Sequence, residues 1–211
     1  YNVELLEVLT GFKYIGEKIK EFEENGNQKY VFGFEESYGY LVGTFVRDKD
    51  AVIAVNIISE MALYYKKIGK TLNCALEDLY KKYGFSSEEL ISIELKGKEG
   101  QDKISRCLET LRNMDKIQIE GMEIYKIQDY KLSIEKDLSN GNVEKISLPI
   151  SNVFKVIFKD KSWFAVRPSG TEPKMKIYLS VRGIDEKSLS LNMSQFKENV
   201  LDLIEKCMNQ N

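Results

Sequence analysis

The chain has no histidine among its 211 residues. That absence excludes a Ser-His-Asp triad, a histidine-ligated metal centre and an imidazole general base supplied by this polypeptide. Proton transfer here would fall to a carboxylate, a lysine, a tyrosine or a group from elsewhere. Cysteine is scarce as well. Cys74, Cys107 and Cys207 are odd in number and widely spaced, with no Cys-x-x-Cys pair. They fit a reduced, cytoplasmic compartment and offer no zinc spacing. No apolar run reaches the roughly 18 to 20 residues of a membrane helix, and no basic-then-apolar leader opens the chain. A net charge of −2 and a pI near 5.5 lack the footprint of a nucleic-acid binder. Neither a membrane nor a nucleic-acid partner is therefore expected. With 43% hydrophobic and 30% charged residues, the composition is that of a soluble, folded protein of one large or two modest domains.

Arginine and proline are also rare, and their placement is informative. There are five arginines against 26 lysines, and three prolines. One arginine and two prolines fall in a single octapeptide, Arg167-Pro168-Ser169-Gly170-Thr171-Glu172-Pro173-Lys174. Apolar, strand-like runs flank it, Ser162 to Val166 and Met175 to Val181. The prolines make this a shaped loop. It offers a guanidinium fork, two hydroxyls and the backbone N–H groups of Ser169, Gly170 and Thr171, a set that suits a phosphate. From turn chemistry alone it also reads as a tight turn with a solvated arginine. The scarcity of arginine favours the anion.

Along the chain, Val3 to Leu9 reads as a strand with no methionine before it. Phe12 to Glu24 is an amphipathic helix ended by Asn25-Gly26-Asn27. Tyr30 to Phe34 is a short strand, Glu35 to Asp50 a polar segment, and Ala51 to Lys67 an apolar helix buried on most of its face. Thr71 to Tyr83 is a further helix. This order predicts part of an open α/β unit. Tyr83 to Ser87 marks a boundary, giving domains 1–84 and 85–211. Beyond it, a strand at Glu89 to Leu95, a helix from Gly100 to Arg112, strands near 123–130, 153–159, 162–166 and 175–181, and a closing helix from Asp185 to Asn209 predict an α+β layer domain.

A second constellation is Gly33-Phe34-Glu35-Glu36-Ser37-Tyr38-Gly39-Tyr40, at a strand end. Glu35 and Ser37, two apart on an extended segment, project to the same side, where a carboxylate and a hydroxyl can hold sugar hydroxyls. Composition alone favours a solvated acidic turn with Tyr38 and Tyr40 packed beneath. Arg47-Asp48-Lys49-Asp50 precedes the apolar helix, which its aspartates can cap. Without further information Lys13 is an ordinary helix-start residue.

The octapeptide, with Trp163 before it and Lys176-Ile177-Tyr178 after it, resembles the phosphate-binding loop in the fourth domain of the α-D-phosphohexomutases, the phosphoglucomutases and phosphomannomutases. Phe34 to Tyr40 is similar to their third-domain sugar loop, of the form Gly-Glu-x-Ser, in its bacterial phosphoglucomutase-like branch. The resemblance implies a partial third α/β domain followed by a C-terminal domain with an antiparallel sheet packed by helices, similar to the TATA-box-binding protein. It implies that Arg167, Ser169, Gly170, Thr171 and Lys174 bind phosphate and that Glu35 and Ser37 bind the sugar. Lys13 and Arg47 become possible substrate contacts, and Lys49 a contact or proton shuttle. The family's serine loop and its aspartate-rich metal loop are absent from the string. The implied Mg²⁺ therefore lies outside this chain, which has no metal residues of its own to offer. The chain is expected to be the C-terminal part of a longer enzyme, partnered by its own N-terminal domains. That enzyme acts on hexose phosphates, with a hexose 1,6-bisphosphate as intermediate and activator. A non-catalytic sugar-phosphate-binding module is the alternative.

Overall fold

A computed structural model describes residues 3–114, 116–170 and 172–209. It divides into two compact units, Tyr1–Asp78 and Leu79–Asn211. The division falls inside helix α3 (Leu72–Tyr83).

In the first unit, α1 (Phe12–Asn25) puts Phe12 and Ile19 against Leu41, with Ile15 and Tyr30 packed around them. Gly26 closes α1 in the left-handed conformation, its N–H bonding to the Phe22 carbonyl. Strands β1 (Phe32–Phe34) and β2 (Tyr40–Val42) form an antiparallel hairpin. Tyr30 fixes it by donating its hydroxyl to the Leu41 carbonyl at 2.9 Å. Helix α2 (Ala51–Lys67) begins at Asp50, whose carboxylate accepts the Ile53 N–H at 2.9 Å. Asp50→Ala is expected to cost this unit about 1 kcal/mol, measured as an earlier urea midpoint by circular dichroism.

Two expectations for this unit fail. Residues 3–9 form no strand, because a strand needs a hydrogen-bonded neighbour and none of the described residues pairs with them. Helix α2 is apolar over most of its face, yet none of its residues is buried. Val52, Val55, Ile57, Ile58, Met61, Leu63 and Tyr64 are all exposed. Hydrophobicity tells a helix that it wants a cover, but not whether the described chain supplies one.

The second unit is a seven-stranded antiparallel sheet in the order β3-β9-β8-β7-β4-β5-β6. Its strands are β3 (Phe85–Glu94), β4 (Ile124–Asp129), β5 (Ile134–Asp137), β6 (Val143–Lys145), β7 (Phe154–Phe158), β8 (Trp163–Pro168) and β9 (Lys174–Gly183). Helices α4 (Gly97–Asn113) and α5 (Glu186–Asn209) share one core with it. Alternation decides the faces: Phe154, Val156, Phe158, Phe164, Val166, Met175, Ile177, Leu179 and Val181 point into that core. Phe196 of α5 meets Phe158 edge-on at 5.5 Å. At the start of α4 a Cβ on Gly100 would lie 2.4 Å from the Leu95 carbonyl oxygen, so only glycine lets the helix approach β3 this closely.

The residues 85–87 that read as a boundary are the first part of β3, paired to Gly183, Arg182 and Val181. Strands β2, β5 and β6 were not expected. β5 and β6 carry charged, partly or fully exposed residues, and β2 is only three residues long, so none shows a strong apolar alternation.

Candidate functional site

The phosphate-type loop joins β8 to β9. Its shape comes from two backbone bonds: Ser169 N–H donates to the Lys174 carbonyl at 2.7 Å, and Leu95 N–H to the Pro173 carbonyl at 2.9 Å. The first bond corrects the expectation of three free amides. The Ser169 N–H closes the loop and cannot serve a ligand, whereas the Gly170 N–H has no partner among the described residues. Thr171 lies outside the described residues.

Arg167 stands opposite Lys176 across the β8–β9 ladder, one residue beyond the Val166–Ile177 pair. Val166 and Ile177 belong to the helix-covered core, so Arg167 and Lys176 share the other face. Two cations directly opposite one another repel. Neither has a carboxylate partner among the described residues. The Arg167 Nε is moreover buried with no hydrogen-bond partner. An orphaned buried donor costs roughly 1 to 3 kcal/mol, so the fold holds this group against its own stability. Lys174, by contrast, is tied to Glu172 at 3.3 Å and Glu94 at 3.6 Å. The hydrogen bond that its ammonium donates to Glu172 holds it above the usual lysine range. Trp163, two residues before Ala165 on the same face, carries Lys155 Nζ 4.7 Å from its ring centroid. Lys176 is the residue that sequence reading left as a mere flank. Strand alternation from Arg167 across the ladder is the signal that finds it.

In the first unit the acidic loop is not extended. Glu35 N–H donates to the Gly39 carbonyl at 3.0 Å, closing a tight turn at the tip of the β1–β2 hairpin. Tyr38 takes φ 63° there and is 86% exposed rather than packed beneath the loop. The turn arises because Gly39 leaves room that a side chain would fill: a Cβ on Gly39 would stand 2.7 Å from both Glu35 Oε1 and Lys49 Cδ. The loop thus brings Glu35 and Lys49 together, Nζ to Oε1 at 3.6 Å, with the Glu35 side chain only 11% exposed. Lys49 also meets Asp48 at 3.3 Å and lies 5.9 Å from the Phe12 ring centroid. The Asp48 hydrogen bond, then the charges of Asp48 and Glu35, raise the Lys49 pKa above its ordinary value. That environment suits a fixed cation better than a proton shuttle.

Ser37 is exposed at the turn. Lys13, also exposed, lies 4.7 Å from the Tyr14 ring centroid at the start of α1. The Arg47 guanidinium is engaged elsewhere, bonded to Glu23 of α1 and to the Thr44 carbonyl. It fastens the loop to the helix.

With this geometry in view, comparison with known proteins is direct. Residues 1–83 match phosphoglucomutase/phosphomannomutase, alpha/beta/alpha domain III, and residues 109–189 match the phosphoglucomutase/phosphomannomutase C-terminal domain. The chain belongs to the phosphoglucomutase/phosphomannomutase family, of which it carries third-domain and C-terminal-domain sequence. It is 41% identical over 197 residues to a phosphoglucomutase of Staphylococcus aureus strain bovine RF122 / ET3-1, covering 92% of this chain and 35% of that protein. To the phosphoglucomutase of strain MRSA252 it is 42% identical over 181 residues, covering 86% of the chain and 32% of the relative. The chain thus spans about a third of the length of these relatives. The crystal structure of the exocytosis-sensitive phosphoprotein pp63/parafusin, a phosphoglucomutase from Paramecium, in its open form, shares the fold. Its TM-score is 0.58 and its identity 19%, over 96% of this chain and 34% of that one.

Proposed function

We propose that this chain is the substrate-holding C-terminal part of a hexose-phosphate mutase, which interconverts hexose 1-phosphate and hexose 6-phosphate through a bisphosphate. The observation that carries the reading is the buried, unpartnered Nε of Arg167, set beside Lys176 at the mouth of a hydrogen-bonded loop. A phosphate dianion supplies what that arrangement lacks: acceptor oxygens for the guanidinium fork and charge to offset two facing cations. Gly170 N–H, Ser169 and Thr171 hydroxyls and the Lys174 ammonium complete the grip.

Glu35 holds sugar hydroxyls as an acceptor, with Ser37 adding a further bond. Lys49 holds the Glu35 carboxylate in place through their ion pair, while Lys13 adds positive charge near the start of α1. Arg47 acts by fixing the loop that carries Lys49. Gripping the phosphate that does not react orients the sugar for transfer at its other end. Among the described residues no group of three or more His, Cys, Asp or Glu side chains could hold a metal ion. We assign the Mg²⁺ of such an enzyme to an aspartate-rich loop of the kind this sequence does not carry. No described helix is long and apolar enough to cross a membrane.

Two measurements on the 211-residue chain test this reading. Glucose 6-phosphate, but not glucose, is expected to shift the resonances of residues 167–176 in a saturable way. No conversion of glucose 1-phosphate is expected from the chain alone. An equal response to glucose would remove the phosphate assignment, and measurable turnover would show that the reacting groups lie within this polypeptide.

A further inference from the structure

Helices α4 and α5 share the core with one face of the sheet, the face of Val166 and Ile177. The other face carries an ordered row of side chains at its middle. Trp163, Ala165 and Arg167 follow one another along β8, opposite Ser180, Tyr178 and Lys176 of β9. Lys155 of β7 stands opposite Ala165 and so joins this face. Its ammonium lies 4.7 Å from the Trp163 ring centroid. Like Arg167 and Lys176, Lys155 has no carboxylate partner among the described residues. Ala165 and Ser180 are short and nearly buried, a low floor between taller neighbours. Trp163, Lys155, Tyr178, Arg167 and Lys176 around them are all partly exposed.

Trp163 and Arg167 are four residues apart, about 13 Å along an extended strand. An indole thus stands at one end of the row, Lys155 in the middle, and two facing cations with the loop at the other end. A ligand that matches this order has a planar ring at one end and an anionic tail. We propose that this face binds a nucleoside triphosphate, its base on Trp163, its terminal phosphate on Arg167 and Lys176, and Lys155 on the phosphates between. The proposal rests on the phosphate-holding role given to Arg167 above, and it makes the nucleotide a competitor of the hexose phosphate.

Each part of the row has a physical task. Every base has a π face, so an indole holds one by stacking. Without ligand, Lys155 covers the ring by cation–π attraction. An arriving base takes its place and frees the ammonium for phosphate oxygens, which are stronger partners. The margins of the face limit the size of the ligand. Glu88 and Glu94 of β3 lie on one side, and Glu135 and Asp137 of β5 with Glu144 of β6 on the other. A nucleic-acid strand laid across the sheet would meet these carboxylates at both margins. The cationic strip is confined to β7, β8 and β9, room for a single nucleotide.

Trp163 is the single tryptophan of the chain, so its fluorescence reports the site directly. ATP added to the 211-residue chain is expected to quench that emission saturably. Tripolyphosphate keeps the charge but lacks the base. By calorimetry it is expected to bind about tenfold more weakly than ATP, without the quench. Lys155→Ala is expected to weaken ATP binding about tenfold, while glucose 6-phosphate still shifts residues 167–176 as in the parent chain. An equal quench by tripolyphosphate, or unchanged ATP affinity in Lys155→Ala, would overturn the proposal. No saturable quench at millimolar ATP, with the glucose 6-phosphate response intact, overturns the nucleotide alone. Silence toward both ligands overturns the phosphate role of Arg167 as well.

Discussion

Arg167→Ala in the intact enzyme is expected to lower kcat/KM by about 30- to 700-fold, the equivalent of about 2 to 4 kcal/mol for a lost charge-assisted, two-pronged contact. The same substitution is expected to leave folding stability unchanged or to raise it slightly. It removes an unsatisfied buried donor and relieves the opposition of Arg167 and Lys176 across the ladder. Opposite signs for activity and stability distinguish a ligand-binding arginine from a structural one, whose removal lowers both. Arg167→Lys should fall between, because it keeps the charge and loses the fork. Steady-state kinetics and urea denaturation on the same three proteins check the prediction. A variant with near-normal kcat/KM would refute the role.

The second large effect concerns an ion pair that does not touch the loop. Arg112 at the end of α4 and Asp129 at the end of β4 have side chains only 4% and 5% exposed, with Nε to Oδ2 at 3.1 Å. Asp129 also accepts the Lys131 N–H at 2.9 Å, shaping the turn into β5. Arg112 spends its remaining donors on Glu109 and Asn152. Asp129→Ala would leave a guanidinium buried without its main counter-charge and a turn without its acceptor. The expected loss is about 3 kcal/mol, a large part of the stability of a domain this size. Arg112→Met with Asp129→Leu should restore part of it, because an apolar pair leaves no stranded charge. The exposed Lys20–Glu24 pair on α1, by contrast, should contribute well under 1 kcal/mol. Urea midpoints of the single and double variants measure the difference.

Much of this architecture is legible in the residues, for identifiable reasons. The strands carrying Phe154, Phe164 and Ile177 and the helices carrying Ile104 and Phe196 bury one face each, so their spacing reveals them. The octapeptide at Arg167 concentrates rare residues in a shaped turn, which is why its chemistry is visible. What stays hidden depends on contacts between distant segments. The pairing of Arg112 with Asp129 and the capture of Arg47 by Glu23 have no local signature. The Glu35 loop is misread as extended because its form is set by a glycine four residues on and by Lys49, which share one small space. Edge strand β6 and its neighbour β5 carry charges, which on β6 keep the sheet edge from pairing with others, and those charges mask both strands as loops.

All of the functional reading depends on Arg167 being a donor in wait for an anion. Nitrogen-15 NMR of its Nε–H group tests that most directly, in the 211-residue chain titrated with glucose 1-phosphate, glucose 6-phosphate and inorganic phosphate. A downfield shift and slowed solvent exchange, saturating with each phosphate and absent with glucose, is the expected result. An Nε–H signal that stays in place at millimolar phosphate ester would contradict the account.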